Sequence, residues 1–436
     1  MQVSVETTQG LQRRMTVQVP AERIDKEVES RLRSLGSRVR LDGFRPGKVP
    51  FKVLQARYGE QVRGEVLGEV LEATYGEAIT QEKLRPAGVP QIEPTQMEAG
   101  KDLTYVATFE VLPEVEVQGI ESMQLERPVA EVTDADIDEV IERLRKQQAE
   151  YETVERAAQD GDEVLVDFVG KVDGEAFDGN EGEDVSVVIG SGQMPPEFEE
   201  ALKGVKAGDT KDITYTFPAH FPDKKVAEKA AVFDVTVKAV REPKLPELDD
   251  AFAEKVGIKE GGLAALRDKV RENLERQRDQ AVRNRLKQQV MDKLIEANPI
   301  ELPQVLVDGE IEHLRNQAKA RMQQFGAEDD ADRQSSEFED DARRRVTLGL
   351  VVNEIIRKND IKLDQARVRQ MLEEIASGYE QPQQVMRYYA QNRQMMEGLE
   401  VAALEDQVVD WVVEHAQVKD KKTSFKSLMA GEAAEE

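Results

Sequence analysis

At 436 residues the chain is longer than one ordinary core accommodates, which predicts roughly two to four domains. A net charge of −27, with 34% charged and 39% hydrophobic residues, excludes a protein whose whole surface embraces nucleic acid. Cysteine is absent, excluding disulfides, thiol catalysis and thiolate-held metals, and no apolar run reaches the ~18 residues of a transmembrane helix.

Residues 2–19 predict a hairpin, with Val3 and Val5 before a turn near Gly10 and Met15, Val17 and Val19 at period two after it. This start is expected to be the first hairpin of a mature cytosolic protein and not a signal peptide, so the expected location is cytoplasmic. Ile24, Val28, Leu32, Leu35 and Val39 share one helical face. A second helix is expected from Phe51 through Val62, Val66, Val70 and Ile79, and the strand-like DLTYVATFEVLPEVEV closes a unit spanning 1–112. Residues 113–150 are expected to be a linker carrying a helix capped by Thr133, with Asp136 in its first turn. Within 151–243, four strand patterns, an Asp173-Gly174 turn and the short helix PEFEEALKG predict a compact sheet domain. From 244 to 436 nearly everything is expected to be helical: one very long helix through Leu263, Val270, Leu286 and Leu294, and others starting near Pro303, Glu337, Asp364, Pro382 and Glu397. The tail GEAAEE is small and acidic. The fold class is therefore multidomain α+β: an α+β unit, an antiparallel sheet with one short helix, and a large helical C-terminal region.

The loop GFRPGKVP, residues 43–50, interrupts the first two helices. Gly43 and Gly47 permit unusual dihedrals, Pro46 holds Arg45 extended, and Pro50 suits the entry of the next helix. A stiffened tip presenting Phe44, Arg45 and Lys48 loses little entropy on docking. Between Arg31 and Arg57 eight basic residues (Arg31, Arg33, Arg38, Arg40, Arg45, Lys48, Lys52, Arg57) face one acid, Asp42, so the window is +7 and the rest of the chain −34. Such polarity favours one docked orientation on a polyanion. The same loop would also serve as a plain helix connector.

GFRPGKVP between two helices, together with the order of domains, resembles the ribosome-docking signature of the bacterial trigger factor family. The resemblance covers the whole chain. It implies docking beside the exit tunnel of the large ribosomal subunit, on ribosomal protein and rRNA, through Gly43, Phe44, Arg45, Gly47, Lys48 and Pro50. The family commonly carries a basic residue where this chain has Pro46, which exchanges charge for rigidity at the tip.

The same resemblance makes the sheet domain an FKBP-type peptidyl-prolyl isomerase. No nucleophile–base arrangement is present, and His220, His313 and His415 are scattered without metal-ligand spacing. The implied chemistry needs neither cofactor nor metal: rotation about an X-Pro amide, eased by a pocket that holds the ring and strips water from the carbonyl. By matching position Phe168, Phe177, Met194, Phe198, Phe221 and Phe233 would line that pocket, with Asp178 at its rim. Where the family usually reads Met-Ile-Pro-Gly-Phe, this chain reads Met194-Pro195-Pro196-Glu197-Phe198. An aliphatic pocket residue becomes Pro195, and Glu197 is expected to bring a carboxylate beside the apolar hole. NEGED after Phe177 also replaces a small, Gly-rich run.

Methionines of the helical region (Met291, Met322, Met371, Met386, Met395, Met396) read first as packing, and in an open bundle as soft patches for varied apolar segments. The expected protein is an ATP-independent chaperone, lacking a GxxxxGK[ST] nucleotide loop, that holds nascent and unfolded polypeptides without membrane or nucleotide. The resemblance also implies a weak homodimer off the ribosome. Two further readings stay open: a holding protein whose isomerase domain only binds, and a freestanding isomerase unrelated to ribosomes.

Overall fold

The structure, a computed structural model, describes residues 1–39, 41, 44, 49–177, 179–218, 226–324, 335–379 and 381–431, apart from the side chains of 322–324 and 335–337. In chain order, β1 (Gln2–Gln9), β2 (Gln12–Val19), α1 (Ala21–Arg38), α2 (Phe51–Gln81), β3 (Gln91–Gln96) and β4 (Leu103–Glu110) come first. Next are β5 (Gln124–Val129), α3 (Asp134–Gln147), β6 (Glu150–Val154), β7 (Glu163–Val172), β8 (Glu181–Val188), α4 (Pro196–Leu202), β9 (Thr210–Thr216) and β10 (Ala230–Lys244). Then follow α5 (Asp250–Lys255), α6 (Gly262–Ala297), α7 (Gln304–Gln324), α8 (Ser335–Lys358) and α9 (Gln365–Ser377). The chain closes with α10 (Pro382–Gln391), α11 (Arg393–His415), β11 (Gln417–Lys422) and α12 (Phe425–Ala430). Antiparallel sheets and helices thus form the expected multidomain α+β fold. Two compact units are present: Met1–Leu125 with Leu286–Val418, and Glu126–Arg285 with Lys419–Glu436.

In the first unit, period-two alternation puts Met15, Val17 and Val19 of β2 and Leu103, Tyr105, Ala107 and Phe109 of β4 on one buried face. The sheet order is β1-β2-β4-β3, all antiparallel. Ile24 and Leu32 of α1, and Leu54, Val62, Val66 and Val70 of α2, cover that face at helical spacing. Buried Tyr105 would strand its hydroxyl, but Thr74 of α2 sits 3.0 Å from it. A second core joins Val290, Met291 and Leu294 of α6, Val351, Val352 and Ile355 of α8, and Val408, Val409 and Val412 of α11.

The stretch 113–150 is more than a connector. Val115, Met123 and Leu125 are buried in that helical core. The Asn298 side-chain oxygen accepts the Gln118 backbone N–H at 2.8 Å, fixing the strand-like run to the end of α6. α3 begins with the expected cap: the Thr133 backbone N–H donates to the Asp136 carboxylate at 2.8 Å, and the Asp136 N–H returns a bond to the Thr133 hydroxyl. α11 starts at Arg393, capped by Asn392, earlier than the expected Glu397. Strands β3, β5, β6 and β11 were not expected. Their sequences (QIEPTQ, QLERPV, EYETV, QVKDKK) are polar without alternation, and β3 and β6 are edge strands, where Pro94 is tolerated. β11 pairs with β5, so the C-terminal region is not wholly helical. The tail beyond 431 lies outside the described residues.

In the second unit, β10 is central, pairing with β6, β7 and β9, while β7 also pairs with β8. The expected Asp173-Gly174 turn is made by two residues of positive φ, 52° and 86°. A buried carboxylate, Asp162, anchors the start of this sheet domain. Asp162, 2% exposed, accepts two hydrogen bonds from Arg156 at 2.5 and 2.9 Å and the Gln159 N–H at 2.8 Å. Burial pushes the Asp162 carboxyl up, but the Arg156 guanidinium and the Gln159 N–H outweigh it and hold the group below its ordinary value. A lowered folded-state pKa contributes stability above the unfolded value of about 3.9, lost as pH falls through the folded value. Asp162→Asn is expected to cost about 2–3 kcal/mol at pH 6. Urea unfolding across a pH series should show the gap to wild type closing below about pH 4; a gap independent of pH would refute this origin.

Candidate functional site

Rings gather on the inner face of the sheet domain from several elements: Phe168 on β7, Phe177 in the loop after it, Phe198 in α4, Tyr215 and Phe217 at the end of β9, and Phe233 on β10. Phe233 lies opposite Gly170 in the β10–β7 register, and Phe168 lies opposite Val235. The Phe233 ring meets Phe198 at 5.0 Å, Phe168 at 5.9 Å and Phe177 at 6.1 Å between centroids, all edge-to-face. Phe177 meets Phe217 at 5.6 Å, and Tyr215 meets Phe217 at 5.1 Å and Phe198 at 6.4 Å. Phe198, Phe217 and Phe233 are buried, whereas Phe168, Phe177, Met194 and Tyr215 are half-exposed and pack on the same core. Five of the seven pocket residues expected from the sequence, Phe168, Phe177, Met194, Phe198 and Phe233, therefore pack on one core. Asp178 and Phe221, like His220, lie outside the described residues.

Sequence reasoning passed over Tyr215 and Phe217. Their signal was present: DITYTF places Ile213, Tyr215 and Phe217 at period two, and Ile213 is buried. It also passed over Gly170. A Cβ at Gly170 would sit 2.5 Å from Cε1 and 2.7 Å from Cδ1 of Phe233, a rigid ring that cannot yield by bending. Gly170→Ala is expected to displace Phe233 and reduce proline-limited refolding catalysis about tenfold, an effect of about 1.4 kcal/mol. A variant as active as wild type would show that the ring's position does not matter.

α4 turns Phe198 and Leu202 inward, one turn apart, which leaves Glu197 exposed. The buried carboxylate of α4 is Glu199, 7% exposed, which accepts hydrogen bonds from the loop before α4. Pro195 caps the helix: its carbonyl accepts the N–H groups of Phe198 at 2.9 Å and Glu199 at 3.2 Å, and Pro196 fills the first helical position. The basin so assembled offers apolar ring faces and, among the described residues lining it, no nucleophile. It suits holding a proline ring while an amide held by a barrier of ~18–20 kcal/mol twists.

The second candidate is the loop between α1 and α2. Leu41 is buried on the first core, Val49 and Phe51 pack partly against it, and the Phe44 N–H donates to the Leu41 carbonyl at 3.1 Å. Phe44 is 39% exposed and Pro50, which caps α2, is exposed. Gly43, Arg45, Pro46, Gly47 and Lys48, with Arg40, lie outside the described residues. The basic window is partly compensated: Arg31 pairs with Glu69 of α2 and Arg33 with Glu29. Among the described residues Arg38, Lys52 and Arg57 form no ion pair and are exposed.

In the helical region Met291 is buried and Met371, Met386 and Met396 pack partly on a core of Val368, Leu372, Leu399 and Ala403. The Met322 side chain lies outside the described residues. Beside this core Tyr388 and Val401 are 60% and 56% exposed, and Tyr379 and Ile375 also face solvent. No helix among the described residues is long and apolar enough to cross a membrane.

Comparison with known proteins gives concordant findings. The family described as bacterial trigger factor protein matches residues 1–144, and its C-terminal part matches 262–414. The FKBP-type peptidyl-prolyl cis-trans isomerase family matches 154–238. The trigger factor of Alkalilimnicola ehrlichii is 63% identical, over 100% of this chain and 97% of the relative. Those of Halorhodospira halophila and Thioalkalivibrio sulfidiphilus are 54% and 52% identical over 98% or more of each chain. A solved trigger factor chaperone, described for promiscuous substrate recognition in folding and assembly, superposes with a TM-score of 0.50 at 20% identity, over 95% of this chain and 99% of that one.

Proposed function

From the premise that this chain belongs to the trigger factor family, chaperones with an FKBP-type peptidyl-prolyl isomerase domain, we propose that it docks at the ribosomal exit tunnel through residues 43–50 and holds nascent chains there. The single observation that carries the docking is Phe44, exposed between Leu41, which is buried in the core, and Val49 and Phe51, which pack partly against it. In this reading Phe44 enters an apolar recess, while Arg45 and Lys48 meet phosphate or carboxylate. Gly43, Gly47 and Pro50 shape the loop, and Pro46 stiffens it.

The division of labour follows the chain. Residues 1–112 provide the dock, 113–150 the connection, 151–243 the isomerase and 244–436 the client-holding surface. Exposed Tyr379, Tyr388 and Val401 beside methionine-rich packing support weak, many-point contact with unfolded segments. Phe168, Phe177, Met194, Phe198, Phe221 and Phe233 hold the proline, with Asp178 at the rim. Release comes as the client buries its own apolar surface, without ATP, in the cytoplasm. Off the ribosome a weak homodimer forms, checked by sedimentation at graded concentration.

Ribosome pelleting at graded salt tests the dock, and charge-mediated binding must weaken steeply as salt rises. Binding indifferent to salt would overturn it. A second reading is favoured by the proline pair Pro195-Pro196 at the entry of α4: the ring basin then binds clients with little turnover. A proline-limited refolding rate equal to the uncatalysed one, with aggregation suppression intact, would establish that reading instead.

A further inference from the structure

Glu199 is an oddity among the buried residues of the sheet domain: a carboxylate next to Phe198, whose ring packs 5.0 Å from Phe233. Its bonds all run to one short loop. One oxygen accepts the Gly190 N–H at 3.0 Å; the other accepts the Met194 N–H at 3.3 Å and the Ser191 hydroxyl at 3.4 Å. The Gln193 N–H in turn donates to the Ser191 hydroxyl at 3.3 Å. Gly190 and Gly192 both have positive φ, 83° and 73°, so the loop doubles back on itself and cannot lean on a sheet ladder for its backbone bonds. The carboxylate gathers both ends of that loop. Met194, at its far end, packs on the ring core.

We propose that Glu199 is a positioning residue for the isomerase. By holding residues 190–194 against α4 it fixes Met194 at the edge of the ring basin, and so shapes the subsite for the residue that precedes proline. The inference rests on the reading of the basin as the prolyl site. Adjacent residues of α4 divide the work: Phe198 lines the basin while Glu199 holds its border. Glutamine is no substitute, because an amide has one acceptor oxygen and one donor nitrogen. Whichever way it is turned, its NH2 group faces an N–H.

The test compares kcat/KM of the full-length chain on two proline tetrapeptides, one with leucine and one with alanine before proline. Glu199→Gln is expected to lower the leucine-to-alanine ratio at least fivefold, Met194→Ala to lower it similarly, and the double variant to do no worse than either alone. Hydrogen exchange at the Gly190 and Met194 amides should accelerate in Glu199→Gln. If that variant melts below the assay temperature, Ser191→Ala, which removes one of the three bonds, should shift the ratio in the same direction by less. Equal losses on both peptides, or additive effects in the double variant, would reduce Glu199 to a structural residue and overturn the proposal. A wild-type chain inactive on both peptides would overturn the reading of the basin itself.

Discussion

Phe233→Ala is expected to lower isomerase kcat/KM about a hundredfold and to destabilise the sheet domain by about 3–5 kcal/mol. Phe233 is the ring on which three others converge, at 5.0, 5.9 and 6.1 Å, and it is nearly fully buried on the central strand. Truncation removes three edge-to-face contacts, worth about 0.5–1.5 kcal/mol each beyond area, and opens a cavity under Phe177 and Phe198. Phe233→Leu separates the two effects. Leucine refills most of the volume, so thermal stability should largely return, while the ring surface proposed to receive proline does not. Catalysis that recovers together with stability would show that the rings act only as core. The measurements are proline-limited refolding and thermal unfolding of the same samples.

Replacing Phe44, Arg45 and Lys48 together with alanine is expected to abolish ribosome co-sedimentation, a loss of at least about a hundredfold in affinity, or about 2.7 kcal/mol. Folding should be untouched, because Phe44 is exposed and the loop is held by Leu41, Val49 and Phe51. Salt dependence adds an independent reading. Each cation that neutralises a phosphate contributes roughly 0.7–0.9 to the slope of log K against log salt, so Arg45→Ala with Lys48→Ala should reduce that slope by about 1.4–1.8. Phe44→Ala alone should weaken binding and leave the slope unchanged. Unaltered pelleting by the triple variant would refute the dock and favour a freestanding isomerase. The paired arginines sharpen the contrast: Arg31, already bound to Glu69, is expected to matter less than Arg38.

Much of this molecule is written in local spacing. The hairpin of Val3 to Val19, the faces of α1, α2 and α6, the Thr133 cap and the Asp173-Gly174 turn each depend on residues a few positions apart, and local sterics decide them. The reading of GFRPGKVP is likewise local, since its prolines restrict their neighbours and its glycines free their own backbone. Tertiary structure decided what depends on distant partners. Glu69 reaches Arg31 from another helix, and Asn298 takes up the Gln118 backbone 180 residues away. Polar strands β5 and β11 exist only because they pair with each other. In the ring basin the sequence displayed the rings, but only packing showed that Phe233 needs Gly170 opposite it and that Glu199, not Glu197, is buried. A side chain's burial depends on what the rest of the chain brings against it, and adjacent positions on a helix face directions about 100° apart.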